Sequence, residues 1–324
     1  MPFLSRLRPS FFSALALSVL CAPLAAQAAP AKAKPSPAQN LTAAPLPANV
    51  DQKKLDAALK AFDAPQADLG TTQALVVVQD GARVLERFAP GLDSATRLNS
   101  WNVGASVTSA LTGRAMKTGA LKSIDEPTAL TEWTIAADSR RNITIRNLLA
   151  MNSGLKWRER SAGSEVGSDA EKMLFGAGQI DIMTYATAAK AQTEPGKAFV
   201  YSTGSSVMLA SAVQRRLPPL NAADGLRTYA WRKFISAEFF DKLGMSDTSP
   251  QFDITGNYYS SLVWMSARDM AAFGEFCLRD GVWNKERLLP EGWIRYMRTA
   301  SGAAGGESYG AGFWIKAKDS PDSL

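Results

Sequence analysis

Residues 97–121 read RLNSWNVGASVTSALTGRAMKTGAL, and this stretch predicts the central helix of the fold. From Val103 the apolar residues recur at three- and four-residue steps, which is the period of one helix face. The other positions are mostly glycine, alanine and serine, so such a helix is expected to be buried on most sides. The Asn102 side chain is predicted to cap its N-terminus, and Gly119 to follow its last turn. We therefore expect the most buried helix of the chain from Asn102 to about residue 118.

The first turn of this helix resembles the Ser-x-x-Lys motif of the β-lactamase-related serine hydrolases. This family includes penicillin-binding proteins (DD-peptidases), class C β-lactamases and 6-aminohexanoate-dimer hydrolases, and its serine is the nucleophile that the lysine helps to deprotonate. Here Asn102 stands at the serine position and Ala105 at the lysine position. Both residues suit the start of a helix. The resemblance therefore implies a helix that is kept while its two reactive groups are absent.

Tyr201, followed by Ser202, resembles the second motif of the family, Tyr-x-Asn or Tyr-Ser-x. The resemblance implies that the tyrosine hydroxyl relays a proton to or from the nucleophile, helped by a cation that lowers the pKa of the tyrosine. Ala105 cannot supply that cation. The alternative is a half-buried tyrosine whose hydroxyl finds any polar partner. If the resemblance holds, Asn102, Ala105 and Tyr201 converge in one cleft, with the Asn102 and Tyr201 side chains about one proton-relay step apart.

Four further segments resemble family sequences and occur in the expected order, namely 143–155, 240–248, 266–274 and 309–314. Together they imply an α+β fold of the β-lactamase/DD-peptidase type, with an antiparallel sheet flanked by helices and a mostly helical lobe from about 124 to 247. The third family motif, His/Lys-x-Gly on a strand, is absent, so the C-terminal strands are expected to be missing. A truncated reading frame, a cloned fragment and a degenerate paralogue are three possible explanations.

Local patterns predict a β-hairpin and a helix without reference to the family. Residues 74–79 and 83–88 are predicted as antiparallel strands joined by a hairpin turn at Asp80-Gly81. Apolar residues at helical spacing predict a helix at 51–62. Two strands that lead into a central helix also match the order that the resemblance implies.

The N-terminal region predicts export from the cytoplasm. Residues 1–28 are interpreted as a signal peptide, because arginines precede a short apolar run and a small-x-small site. That run is too short for a membrane-spanning helix, and a lipoprotein with Cys21 lipidated is the weaker alternative. Residues 29–50, rich in Ala, Pro and Lys, are interpreted as a linker, and 51–324 as the β-lactamase-related domain, incomplete at its C-terminus. We expect a periplasmic or secreted protein in which Cys277 has no cysteine partner.

Composition excludes several classes of site. The 324 residues contain no histidine, which excludes Ser-His-Asp and Cys-His catalysis and histidine-based zinc sites. No metal or cofactor is therefore expected. The formal net charge of +6 is scattered along the chain without a basic stripe, so nucleic-acid binding is not expected either.

Two functions are weighed, and the sequence indicates neither a substrate nor an oligomeric state. An active serine hydrolase acting on an amide or ester needs another nucleophile, and Ser100, Ser106 and Ser202 all lack a lysine three residues on. A catalytically impaired homologue could instead bind a peptide, a muropeptide fragment or a β-lactam. Trp101, Ser202 and Trp264 are the candidate ligand-binding residues, although the two tryptophans fit core positions equally well. A decaying gene product without a selected function is the third possibility.

Overall fold

A computed structural model describes residues 41–64, 70–160, 167–218 and 223–315. The predicted signal peptide at 1–28, residues 29–40 of the predicted linker and residues 316–324 lie outside the described residues. Leu41 is buried, and Ala43 forms a parallel bridge with Arg83, so the last part of the predicted linker region lies against a strand. None of the described helices has the length and apolarity needed to cross a bilayer.

The described residues form helices and short antiparallel strand pairs. The helices are α1 (Gln52–Asp63), α2 (Val103–Lys117), α3 (Ile145–Leu149), α4 (Asp169–Phe175), α5 (Ile182–Thr187), α6 (Thr203–Gln214), α7 (Asp224–Ile235), α8 (Asp241–Leu243), α9 (Ala267–Leu278) and α10 (Trp293–Met297). Short 3-10 helices lie at Thr131–Trp133, Ser139–Asn142 and Ala177–Ile180, and a π-helical turn lies at Ser236–Phe240. The strands are β1 (Ala74–Gln79), β2 (Ala82–Phe88), β3 (Arg97–Asn99), β4 (Trp264–Ser266), β5 (Val282–Trp283) and β6 (Glu286–Arg287). This is the α+β class that the sequence predicts.

The predicted hairpin is confirmed as β1 and β2. The two strands pair antiparallel from Ala74 opposite Phe88 to Gln79 opposite Ala82, with one register shift. Asp80 and Gly81 have φ angles of 50° and 77°. Two successive left-handed residues are what a two-residue hairpin turn needs to match the twist of its strands. This strand pair packs against α9 through β1.

A second antiparallel pair, β3 with β4, lies directly before two helices. β3 precedes α2 and β4 precedes α9, and the pairing sets Asn99 opposite Trp264. The buried Asp269 carboxylate of α9 accepts hydrogen bonds from the Asp247 backbone N–H at 2.8 Å and the Thr248 hydroxyl at 2.9 Å. This contact ties two of the segments that resemble family sequences to each other.

The central helix forms where the sequence predicts it, but its N-terminal cap is not the predicted one. Asn102 is the N-cap residue, and its side chain makes no capping hydrogen bond. The first three helical N–H groups instead donate to the carbonyl oxygens of residues 100–102, at 2.9 to 3.1 Å. The Asn102 backbone is also helical, with φ −65° and ψ −13°, whereas a capping side chain normally extends from a β-region residue. Gly119 follows the helix at φ +80°, as predicted.

The prediction that α2 is the most buried helix is wrong, because α6 exceeds it. All twelve residues of α6 are buried, against eleven of the fifteen in α2. α6 contacts α2, α3, α4, α5 and α7, so neighbours cover it on several sides. Its sequence, TGSSVMLASAVQ, is as poor in charge and bulk as that of α2. Two buried helices packed against each other therefore form the centre of the core.

Candidate active site

The exposed start of α2 presents Asn102 on a strained turn. Trp101 has a φ of +44° and is 56% exposed, and its backbone N–H donates to the Asn99 side chain at 2.9 Å. A left-handed backbone is rare for a bulky aromatic residue, and such strain concentrates at functional sites. Asn102 is exposed, and its side-chain amide has no hydrogen-bond partner among the described residues. The amide is therefore available to a ligand.

Ala105, at the lysine position, is buried beneath a turn formed by residues 309–314, which we call the C-terminal turn. The Ser106 hydroxyl donates to the carbonyl oxygen of Gly312 in this turn at 2.5 Å. Gly312 has a φ of +89°, and a Cβ there would lie 2.4 Å from the Ser109 hydroxyl oxygen and 3.2 Å from the Ala105 carbonyl oxygen. Glycine is therefore required by both the backbone angle and the space. The C-terminal turn lies directly on the first turns of α2.

Tyr201 contacts the same C-terminal turn from the other side. Its ring stacks on Trp314 with centroids 5.3 Å apart and meets Tyr309 edge-on at 5.7 Å. Tyr309 is fully buried, whereas Trp314 is 59% exposed. The C-terminal turn therefore contacts both the first turns of α2, which contain Ala105, and Tyr201, which lies just before α6. No contact joins Asn102 to Tyr201 directly among the described residues, so the convergence of these two side chains stays a prediction.

The surroundings of Tyr201 favour its protonated hydroxyl. Burial raises the pKa of Tyr201 far above the ordinary tyrosine value, the Glu159 carboxylate raises it further, and Arg160 partly opposes them. Glu159 is held in place by the Trp157 indole N–H at 2.8 Å, by the Thr203 backbone N–H at 2.8 Å and by the Thr203 hydroxyl. At neutral pH Tyr201 can donate a hydrogen bond and cannot serve as a base.

The three serines weighed as alternative nucleophiles either make structural hydrogen bonds or have no side chain beside them to take the hydroxyl proton. Ser202 caps α6, since its hydroxyl oxygen accepts from the Ser205 N–H at 3.0 Å. Ser106 is bonded to the C-terminal turn, as described above. The Ser100 hydroxyl is buried without a hydrogen-bond partner among the described residues. None of the three bonds to a side chain that could take its proton within the described part of the chain.

The two candidate ligand-binding tryptophans lie at the surface, so the alternative that they are core residues is wrong. Trp264 is 40% exposed, and its indole N–H donates to the Gln251 side chain at 2.9 Å. Trp101 meets the exposed ring of Phe175 edge-on, with centroids 6.2 Å apart. Because Trp264 pairs with Asn99 across β3 and β4, both tryptophans lie on the segments that lead into α2 and α9.

Comparison with known proteins decides the family. The family model for Beta-lactamase matches residues 60–324. The chain belongs to the β-lactamase family. No curated protein matches significantly. The solved structures that share the fold of this β-lactamase family chain are likewise of low sequence identity.

Three solved structures show that fold. A Bacillus anthracis protein assigned as a 6-aminohexanoate-dimer hydrolase is 18% identical over 88% of this chain and 76% of its own, with a TM-score of 0.66. A penicillin-binding protein from Bacillus halodurans is 16% identical over 82% and 83%, with a TM-score of 0.57. A penicillin-binding protein homologue from Caulobacter crescentus is 16% identical over 85% and 83%, with a TM-score of 0.56.

Sequence reasoning missed two parts of this β-lactamase family site. Glu159 acts on Tyr201 although 42 residues separate them, and no local pattern marks it. Residues 309–314 resemble a family segment, but their contacts with both α2 and Tyr201 follow only from the folded chain. Among the described residues, no three His, Cys, Asp or Glu side chains group as metal ligands would.

Proposed function

We propose that this β-lactamase family protein is catalytically impaired and binds an amide- or ester-bearing ligand of peptide-like type without hydrolysing it. An acyl transfer needs a nucleophile and a group that takes its proton. The amide of Asn102 is a poor nucleophile, and the methyl group of Ala105 takes no proton. The observation that carries the proposal is that Tyr201, the remaining family residue, has its pKa raised by burial and by Glu159.

Exposed aromatic side chains support the binding half of the proposal. Trp101, Phe175 and Trp264 are each at least 40% exposed, and Trp314 covers one face of Tyr201 while most of it stays open to solvent. Large apolar side chains at a surface favour ligand contact, with the polar amide of Asn102 beside them to fix orientation. We further propose export to the periplasm or secretion, which is supported by the signal-peptide pattern at 1–28 alone.

The rival proposal is an active hydrolase. Measuring the intact mass of the protein after incubation with a substrate distinguishes the two, because an active enzyme would form a covalent adduct. The protein lacking residues 1–28 is incubated with a fluorescent penicillin and its intact mass is recorded, and hydrolysis of a chromogenic reporter ester is followed in parallel. We expect no covalent adduct and a hydrolysis rate near background. A stoichiometric adduct on the unchanged protein would overturn the proposal, and peptide mapping would then locate the nucleophile.

Restoring the family groups sharpens this test. Asn102→Ser and Ala105→Lys should each leave the rate near background, because nucleophile and base act as a unit. The double variant should exceed both single variants in ester hydrolysis. Fast hydrolysis by the unchanged protein that survives Tyr201→Phe would contradict the assignment of the site.

Binding is measured separately, by quenching of tryptophan fluorescence during titration with the same penicillin. We expect saturable quenching that Trp101→Ala weakens several-fold, since an exposed indole beside Asn102 loses its contact with the ligand. Tyr229→Ala is the matched control, because Tyr229 is 65% exposed on α7 and belongs to no part of the site. Absence of saturable quenching would refute the binding half of the proposal.

A further inference from the structure

Trp101, which precedes Asn102, and Phe175, the last residue of α4, form a corner of two aromatic rings at the surface. We call this pair the aromatic corner. The ring centroids lie 6.2 Å apart and the ring planes meet at 63°. Trp101 is 56% exposed and Phe175 is 57% exposed although each touches the other. More than half of the surface of each residue therefore stays open to a third group.

The backbone of Trp101 holds its ring outward at a cost in conformational energy. Its φ of +44° is unfavourable for a bulky residue, and its N–H donates to the Asn99 side chain, which fixes the turn. Burial of the indole would offset that cost, but the side chain is mostly exposed. Backbone strain of this kind persists mainly where binding or catalysis uses it. The outward ring of Trp101 therefore points to a contact with a ligand.

Phe175 is held in place from both sides along the chain. A capping box closes the start of α4. After the helix the chain turns tightly, because a Cβ at Gly178 would lie 2.7 Å from the Tyr185 ring and 2.8 Å from the Cα atom of Met173. The backbone on either side of Phe175 is therefore fixed by a cap and by a closely packed turn. The aromatic corner is formed before any ligand arrives, so binding does not have to order it.

We infer that the amide or ester ligand of this site carries a neutral aromatic ring, which the aromatic corner selects; the inference rests on the proposed function. A third ring in the corner meets the face of one ring and the edge of the other, and aromatic groups prefer both arrangements. A saturated ring of the same size gains only from the burial of apolar area. Trp101, Phe175 and Asn102 are uncharged, so a neutral ring fits them better than a charged group.

The test is fluorine NMR of the full chain labelled with 5-fluorotryptophan. It is titrated with N-benzylacetamide and, in parallel, with N-(cyclohexylmethyl)acetamide, and the Trp101 resonance is identified by its loss in Trp101→Phe. The benzyl amide should shift this resonance saturably and bind about three- to tenfold more tightly than the cyclohexyl amide. An unshifted Trp101 resonance, or equal or weaker binding of the benzyl amide, would overturn the inference.

Phe175→Leu tests whether the second ring of the corner causes the preference. Leucine keeps an apolar side chain and suits a helix, but it has no aromatic ring. The ratio of the two dissociation constants should fall close to one, with little change for the cyclohexyl amide. A merely structural role of Phe175 would weaken both amides equally. Tyr229→Leu on α7 is the matched control, since Tyr229 is 65% exposed, and it should leave both constants unchanged. A preference retained in Phe175→Leu would overturn the inference.

Failure of this inference and failure of the proposed function give different results. Saturable binding of the penicillin without a preference for the benzyl amide would overturn the inference and leave the proposed function standing. A covalent penicillin adduct would overturn the proposed impairment, while the preference for the benzyl amide would still support the inference. Asn102→Ala should weaken both amides equally, because Asn102 meets the amide group and not the ring. Loss of the preference in that variant would mean that the ring lies elsewhere, which would also overturn the inference.

Discussion

The first turns of α2 and α6 have similar sequences but are completed in different ways. Each helix follows a polar residue, Asn102 or Ser202, and each has glycine as its second residue. At α6 the Ser202 side chain and the Glu159 carboxylate accept backbone N–H groups. At α2 the carbonyl oxygens of residues 100–102 accept them instead. The side chain at position 202 therefore has a structural task, and the one at position 102 has none.

If the protein is catalytically impaired as proposed, this difference explains why replacing the residue at the family's serine position leaves the fold intact. A side chain that holds no hydrogen bond can change at little cost in stability, which is the situation of Asn102. The start of α6 depends on Glu159, and that same carboxylate raises the pKa of Tyr201. The contact that stabilises one helix start thus disfavours proton transfer by the neighbouring tyrosine.

The largest expected change in stability comes from adding a methyl group at the second residue of α2 or α6. It tests how closely each helix start is packed. A Cβ at Gly104 would lie 2.0 Å from the backbone carbonyl oxygen of Ser260, whereas one at Gly204 would lie 2.8 Å from the Trp157 ring. A side chain can shift and a backbone cannot shift as easily. Gly104→Ala should therefore lower the free energy of unfolding by about 3 kcal/mol, and Gly204→Ala by about 1 kcal/mol.

Urea unfolding followed by circular dichroism measures both changes. Gly274→Ala is the control, because no atom lies within 4 Å of a Cβ at that position of α9. This variant should gain roughly 0.5–1 kcal/mol from the helix propensity of alanine. If Gly104→Ala were as stable as Gly274→Ala, α2 would not pack on the Ser260 backbone.

The next effect concerns Glu159, which holds the start of α6 through Thr203 and raises the pKa of Tyr201. Glu159→Gln weakens hydrogen bonds to a charged acceptor and should destabilise the protein by about 1.5–3 kcal/mol. It also removes a negative charge that raises the pKa of Tyr201, so that pKa should fall, while burial still keeps it above the usual tyrosine value. Alkaline titration of tyrosinate absorbance reads this shift, with exposed Glu194→Gln as the control. If the alkaline titration were unchanged in Glu159→Gln, Glu159 would not affect the pKa of Tyr201.

The dependence of protein stability on pH above 10 is an independent test of whether the pKa of Tyr201 is raised. Burial raises the pKa of Tyr201 above the usual tyrosine value of about 10. A raised pKa contributes stability that is present below pH 10 and is lost as the pH rises above it. Tyr201→Phe should therefore unfold less steeply with pH above 10 than the unchanged protein does, in thermal melts recorded across that range. Parallel curves would mean that Tyr201 titrates normally.

A smaller effect is expected at the α6 cap. Ser202→Ala removes the hydroxyl oxygen that accepts the Ser205 N–H and should cost about 1 kcal/mol of stability. Ser202→Asp keeps an acceptor at this position and should recover most of that loss. If the aspartate variant were no more stable than the alanine variant, the cap would contribute little.

The sequence predicts elements whose cause is local, and it misses those that depend on distant segments. The Asp80-Gly81 hairpin and Gly119 after α2 follow from backbone angles that few residues adopt, so both are predicted correctly. The Asn102 cap fails because the backbone of residues 100–102 already fills that role, which residue identity does not reveal. The burial of α6 depends on five helices that meet it in the folded chain.

The candidate site shows the same division. The positions of Asn102, Ala105 and Tyr201 follow from resemblance to family motifs. The hydrogen bond from Ser106 to Gly312 spans 206 residues and the one from Thr203 to Glu159 spans 44. Nothing in either short segment indicates its distant partner. The pKa of Tyr201 is raised first by its burial and then by Glu159, both of which arise from the folded chain, so the electrostatics of the site follow only from the structure.

The smallest expected change in stability is that of substituting Asn102. It tests whether the Asn102 side chain leaves α2 uncapped while the Ser202 side chain caps α6. Asn102→Ala removes an exposed amide that holds no hydrogen bond among the described residues, so the free energy of unfolding should change by less than about 0.5 kcal/mol. Asn102→Ser should be equally neutral, although the same residue type caps α6 at position 202. Urea unfolding of these variants beside Ser202→Ala gives the comparison within one experiment. A loss near 1 kcal/mol in Asn102→Ala would show that Asn102 caps α2 in solution. Its amide would then be engaged by the helix and no longer free to meet a ligand, and binding would have to depend on the exposed aromatic side chains alone.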